Sequence, residues 1–120
     1  MFVDFAHEFK NIKGWINSPP LTLRELRGKV VMLDFWTYSC VNCVRTLPYL
    51  KLLHEKYADA GLVIIGVHTP EFEFEKEEEN VKAAVEKYGI KYAVALDSEN
   101  TTWILYGNRY WPKQVLIDSR

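Results

Sequence analysis

From Val30 to Trp36 the chain is apolar at six of seven positions. A run of that length without polar alternation predicts a strand buried on both faces. Leu62 to Val67 repeats the pattern and predicts a second buried strand. Between the two the period changes. Val44, Leu47, Leu50, Leu53 and Tyr57 recur at about helical spacing, which predicts a helix from Cys40 to Ala60 stopped by Gly61. Pro48 lacks the amide hydrogen the helical ladder needs, so a kink or an irregular turn is expected there. Val81, Ala84, Val85 and Tyr88 outline the apolar face of a helix from Asn80 to Tyr88, capped by Gly89. Tyr92 to Leu96 and Val115 to Asp118 predict two more strands, and Glu99 to Tyr106 a short helix before a turn at Gly107-Asn108. Ahead of the first strand, Asn17-Ser18-Pro19-Pro20 reads as a turn or extended segment. Leu21 to Leu26 reads as a short helical turn that Arg27-Gly28-Lys29 breaks. Strands alternating with helices predict an α/β layer fold with parallel strand pairs.

A chain of 120 residues suits one domain with a sizeable core. Fifteen basic and sixteen acidic residues leave a formal net charge of −1. Charge therefore supplies no reason to expect nucleic acid or an anionic membrane as partner. No apolar run approaches the ~18 residues a bilayer span needs. Residues 1–10 carry Asp4, His7 and Glu8 and lack the apolar centre of a secretory signal, so this segment is not expected to insert into a membrane. The one charge-dense run, Glu71 to Glu79, holds six Glu and one Lys. Carboxylates suit the positive end of a helix, so the run reads as a solvated helix start, with an acidic docking surface as the alternative.

Candidate chemistry enters with the only two cysteines, in Cys40-Val41-Asn42-Cys43. Two are too few for a disulfide scaffold. Spaced C-x-x-C where a strand gives way to a helix, they can close a small disulfide that opens easily. Unpaired N–H groups of the first helical turn favour a thiolate at Cys40. Cys43, one turn further in, is expected to be more buried. The roles that follow are attack on a partner disulfide by Cys40 and resolution of the mixed disulfide by Cys43. Unreactive core thiols or half of a metal site are the alternative. Zinc needs about four ligands, and His7, His54 and His68 are scattered, with no His-x-x-x-His pair. Val44 stands where covalent haem attachment requires His. Neither metal nor cofactor is expected, because the electrons travel in the cysteine pair.

Asp34-Phe35-Trp36-Thr37-Tyr38-Ser39-Cys40-Val41-Asn42-Cys43 resembles the active-site segment of thioredoxin-fold proteins. Gly28-Lys29-Val30-Val31 and Leu47-Pro48 resemble the TlpA-type thiol–disulfide oxidoreductases. The stretch from Trp36 to Pro48, with Gly66 to Phe74 and Tyr106 to Pro112, is similar to the C-terminal thioredoxin-like domain of DipZ-type (CcdA-fused) bacterial membrane proteins. The likeness runs from about Gly14 to Asp118. It implies a thioredoxin-like fold, with a central mixed sheet flanked by helices, as a single domain over residues 1–120. Residues 1–20 or so would be an N-terminal extension.

The resemblance also implies roles at matching positions. Asp34 corresponds to the buried acid beneath the redox pair. Among apolar strand neighbours its pKa should rise, which suits proton exchange with Cys43; a carboxylate touching water at a strand edge is the alternative. Trp36 corresponds to the tryptophan under the active-site loop. Pro112 corresponds to the cis-proline opposite the disulfide, where a substrate backbone pairs beside residue 111. Trp36, Trp111 and Pro112 are accordingly expected along a substrate groove, with Tyr110 near them. Two departures stand out. Ala93 occupies a position where these domains often carry Pro. The chain also stops at Asp118-Ser119-Arg120, before the last strand and C-terminal helix of the family. The Val115 strand would then have an unpaired edge and a bare apolar face. Either the domain is truncated or a second molecule completes its sheet, as an oligomer.

The implied function is dithiol–disulfide exchange with a disulfide-containing protein substrate, in the reducing direction. A thiol electron donor would recharge the pair. The implied location is the extracytoplasmic or periplasmic face of a bacterial membrane. One alternative is a peroxidase of the peroxiredoxin or glutathione-peroxidase kind, which the Glu71 to Leu105 stretch resembles. No Pro-x-x-x-(Thr/Ser)-x-x-Cys motif surrounds Cys40, however. The other alternative is a non-enzymatic interaction module on the same fold.

Overall fold

The computed structural model describes residues 6–119. Its elements are β1 (Trp15–Ile16), β2 (Val30–Trp36), α1 (Val41–Tyr57), β3 (Leu62–His68), α2 (Glu78–Lys87), β4 (Ala93–Leu96), α3 (Thr101–Leu105) and β5 (Lys113–Ile117). The strands form one mixed sheet in the order β1-β4-β3-β2-β5. β2, β3 and β4 run parallel, while β5 and β1 add antiparallel on the two sides. Parallel neighbours need crossovers, and α1 and α2 supply them.

Successive strand residues point to opposite faces, so the sheet has a core on each side. Trp36, Ile64, Val94 and Leu96 pack with Cys43, Leu47 and Leu50 of α1 and with Val81 and Val85 of α2. Val31, Leu33, Phe35, Ile65, Val67 and Val115 pack on the other face with Trp103 of α3, and Phe9, Ile12 and Trp15 of the N-terminal stretch cover them. In this register Asp34 lies between Gly66 of β3 and Gln114 of β5. Glycine is required at 66, because a Cβ there would lie 2.9 Å from Trp36 Nε1 and 3.3 Å from Tyr92 Cε1.

β2 has its expected bounds, but several other elements differ. The helix begins at Val41, with Cys40 as an extended N-cap at φ −83° and ψ 116°. It ends at Tyr57 and passes into a 3-10 turn, Ala58–Ala60, closed by Gly61 at φ 104°. Pro48 does not interrupt it. Only one amide donor is lost there, and buried Leu47 and Leu50 hold the same turn against the sheet. The expected short turn lies at residues 23–28, α2 starts at Glu78 instead of Asn80, and β5 starts at Lys113.

β1 has no sequence signal, since two residues cannot display a period. Pairing creates it: Trp15 opposes Ala95 and Ile16 opposes Val94. Two 2.9 Å backbone bonds, Lys13 N–H to Leu96 O and Leu96 N–H to Gly14 O, extend the contact. Part of the expected N-terminal extension is therefore an edge strand; residues 1–5 of that extension, and Arg120, lie outside the described residues. The acidic run also needs correction. Glu78 and Glu79 open α2 and pair with Lys82, as a solvated helix start would, but Glu75 is fully buried.

Candidate active site

The sheet brings the carboxyl ends of β2 and β3 together, and the candidate chemistry collects beyond them. β2 ends at Trp36, the chain turns through Thr37, Tyr38 and Ser39, and α1 begins after Cys40. Neither cysteine is disulfide-bonded. Cys40 is half-buried, and its Sγ accepts the Cys43 backbone N–H at 3.3 Å. An amide at a helix start, aimed at a sulfur, favours negative charge there. Cys43 is completely buried. Burial pushes its thiol up, and contact with Cys40 and the Asp34 charge push it further, so it rests as a neutral thiol.

Asp34 lies on the strand beneath, with no exposed surface. Burial raises its carboxyl from 3.8 to about 6, even though the Gln114 amide donates to Oδ1 at 2.7 Å and opposes the rise. A carboxylic acid that gains and loses its proton near neutrality suits exchange with a buried thiol. Gln114 was not foreseen, and only the β2–β5 register makes it a neighbour of Asp34.

Trp36 is fully buried, so it meets the loop from beneath instead of lining a groove. Its ring stands edge-on to His68 at 5.0 Å. Trp111 is half-buried, stacks on Trp103 at 4.0 Å and donates from Nε1 to Thr69 O at 2.8 Å. Asp97 fixes that neighbourhood: it accepts from Thr69 Oγ1 at 2.8 Å and from the Thr102 and Trp103 amides at 3.0 and 2.9 Å. The Trp111–Pro112 peptide bond is cis. Pro112 immediately precedes β5, one step beyond the Phe35–Lys113 pair and so alongside the end of β2.

Two further residues enter the site without having been singled out for it. His68 ends β3, is buried, and lies parallel to the Tyr38 ring at 5.6 Å. Burial lowers its pKa to about 4, outweighing the attraction of Glu75, so the ring is neutral at pH 7. A neutral ring fits its bonds, because Nε2 accepts the Tyr38 N–H at 3.4 Å. Glu75 accepts from Ser39 Oγ and from the Glu71 and Phe72 amides at 2.7 and 3.0 Å. Burial pushes its carboxyl up, but these bonds and one from Thr37 outweigh it and hold the group below the usual range. The 3-10 turn Glu73–Lys76 is thereby clasped to the loop before Cys40, with Tyr38 OH donating to Phe74 O at 3.4 Å. Phe72 and Phe74 stack on each other at 5.8 Å on the exposed side of that turn. Among the described residues no three His, Cys, Asp or Glu side chains gather to hold a metal ion.

The chain is similar to known proteins in sequence and in fold. The model of the AhpC/TSA family matches residues 4–120. Protein DipZ of Mycobacterium bovis is 50% identical over 117 residues, covering 95% of this chain and 17% of DipZ. Thiol-disulfide oxidoreductase ResA of Halalkalibacterium halodurans is 34% identical over 103 residues, covering 86% of this chain and 56% of ResA. The chain thus spans less than two thirds of either relative. Among solved structures, a thioredoxin-like superfamily protein superposes with a TM-score of 0.87 at 29% identity, covering 95% of this chain and 79% of its own. The sheet order, the placement of Cys40 at the start of α1 and these likenesses agree: the chain belongs to the AhpC/TSA family and has a thioredoxin-like fold.

Proposed function

We propose that this domain is a thiol–disulfide oxidoreductase that reduces disulfides in protein partners. One observation carries the reading: a half-exposed Cys40 caps α1, while Cys43 is buried beside the carboxyl of Asp34. Cys40 thiolate attacks a partner disulfide, forms a mixed disulfide and releases one partner thiolate. Cys43 passes its proton to Asp34 and attacks Cys40 Sγ, and the second partner sulfur leaves as a thiolate. The partner gains two electrons and the Cys40–Cys43 bond holds the oxidation. A thiol donor restores the dithiol, so no further cofactor takes part. Trp111 and Pro112 would flank the partner's backbone. No described helix is long and apolar enough to cross a membrane. The similarity to DipZ-type proteins supports a location on the extracytoplasmic face.

Insulin-disulfide reduction tests the reading. Wild type should be active, Cys40→Ser inactive, and Cys43→Ser should accumulate mixed disulfide. Activity surviving in Cys40→Ser would sink the proposal. Rapid peroxide consumption by Cys43→Ser would instead favour a one-cysteine peroxidase. A reduction potential near thioredoxin's roughly −270 mV supports the reducing direction, and one near roughly −120 mV the oxidising direction.

A further inference from the structure

Phe72 and Phe74 interrupt the acidic run after β3 and stand 51% and 54% exposed. Their rings lie nearly parallel, with centroids 5.8 Å apart. Neither ring joins the two cores of the sheet. Their backbone is nevertheless fixed. Glu75 accepts the Glu71 and Phe72 amides, and Phe74 O accepts from Tyr38 OH at 3.4 Å and from Asn80 Nδ2 at 3.3 Å. Glu75 also holds Ser39, the residue before Cys40, and the Phe74 ring meets the Tyr38 ring edge-on at 6.2 Å. A hydrogen-bonded turn thus presents two apolar rings beside the candidate nucleophile, and a site ordered in advance costs less to bind. Side chains of this size carry roughly 150–250 Å² each. The half-exposed pair therefore suits one anchoring side chain rather than a whole interface.

The charges around the pair choose its occupant. Between residues 71 and 77 the exposed acids are Glu71, Glu73 and Glu77, and the one exposed base is Lys76, 3.3 Å from Glu73. Such a surface repels an anionic membrane and attracts a cation. Aromatic faces attract cations too, and the stem of a Lys or Arg packs on them while its head stays in water. The other flank of Cys40 has the opposite sign. There Arg109 is exposed, and the Lys113 ammonium lies 5.4 Å from the Tyr110 ring. Strand order β3-β2-β5 puts Cys40, which follows β2, between the two flanks.

We propose that Phe72 and Phe74, with Glu71, Glu73 and Glu77, bind an arginine or lysine of the partner protein, so that the domain selects disulfides with a basic residue nearby. The idea rests on the redox reading above and names the partner it prefers. An extended segment advances about 3.3 Å per residue, which places the basic residue about three to five positions from the attacked cysteine. The flank of Arg109 and Lys113 repels it, so one side of that cysteine is favoured over the other.

The test mixes reduced protein with short peptides whose single cysteine carries thionitrobenzoate. The Cys40 thiolate bonds to the peptide sulfur, and coloured thionitrobenzoate leaves with the electron pair of the broken S–S bond. Arg, Glu or norleucine stands about four positions before or after the cysteine. In about 20 mM salt the Arg peptide should react about tenfold faster than the Glu peptide in one of the two placements, with norleucine between them. Salt at about 0.5 M should shrink that ratio. In Phe72→Ala/Phe74→Ala, and in Glu71→Gln/Glu73→Gln/Glu77→Gln, the ratio should fall toward one. A ratio, unlike a rate, does not move when a substitution only unsettles the Cys40 loop. Equal rates for Arg and Glu peptides in wild type, in both placements, overturn the proposal and leave the redox reading standing. A preference that either variant keeps overturns it as well, since other residues then read the cation. Norleucine matching Arg overturns the choice of a cation as occupant. Wild type that attacks none of the peptides removes the redox reading, and this proposal with it.

Discussion

Burial acts on Asp34 and His68 with opposite consequences for stability against pH. The Asp34 carboxyl rises from 3.8 to about 6, so folding disfavours its charged form. Its contribution is intact below about pH 4 and is lost as pH rises through about 6, by roughly 3 kcal/mol. The His68 pKa falls from 6.5 to about 4, so folding disfavours its cation. That contribution is intact above about pH 6.5 and is lost as pH falls through about 4, by a similar amount. In wild type the two slopes oppose each other between about pH 4 and about pH 6.5. Single substitutions should uncover them. Asp34→Asn should gain about 2–3 kcal/mol at neutral pH, with the gain vanishing near pH 4, and its stability should climb with pH over that window. His68→Asn should show the reverse slope, above a constant loss of packing against Trp36 and Tyr38. Urea melts at closely spaced pH values would check both, and parallel profiles for the three proteins would contradict the assignment.

Among the elements, the 3-10 turn Glu73–Lys76 has a role its length does not suggest. Glu75 ties it to Ser39, the residue before Cys40, and closes the turn on its own Glu71 and Phe72 amides. Glu75→Ala would leave two amides and a hydroxyl without their acceptor, at a cost of about 1–3 kcal/mol. The expected outcome is faster hydrogen exchange at the Phe72 amide, a lower melting temperature and slower reduction of protein disulfides. Glu75→Gln, which keeps an acceptor oxygen, should recover part of each. Unchanged exchange and activity in Glu75→Ala would show that the turn does not position the loop. Nothing in the run Glu71 to Glu79 marks one glutamate as buried. Only the fold of β3 and the Cys40 loop chooses Glu75.

For the whole molecule, the N-terminal stretch closes both a sheet edge and a core. β1 covers the β4 edge, and the Asn17 side chain donates to Ile90 O and Tyr92 O at 2.9 and 3.1 Å. Phe9, Ile12 and Trp15 lie over the core beneath α3. Removing residues 1–17 should expose β4 as an edge and strip three large apolar side chains from the core they cover. The loss is expected to exceed about 4 kcal/mol, a large share of a domain's stability. A sharply lower melting temperature and self-association in light scattering are the outcomes to look for. A monomer with wild-type stability would mean that β1 is dispensable.

Periodicity and composition along the chain were enough for β2, β3, α1 and α2, because each buries a continuous apolar face that its own residues spell out. They were also enough to single out Cys40 and Cys43, since C-x-x-C at a strand–helix junction is a local feature. Asp34 could be proposed because a lone carboxyl stood in an apolar run. What the chain could not disclose depends on partners far away in sequence. β1 exists only by pairing with β4. Gln114 matters only because β5 aligns it with Asp34. His68 and Glu75 come to the Cys40 loop from the ends of other segments. Trp36, an apolar residue next to the site, could have lined a groove or a core, and the tertiary packing buried it. Local sequence sets which residues can be reactive. Only long-range packing decides which groups face them, and so how burial and hydrogen bonding tune their charge.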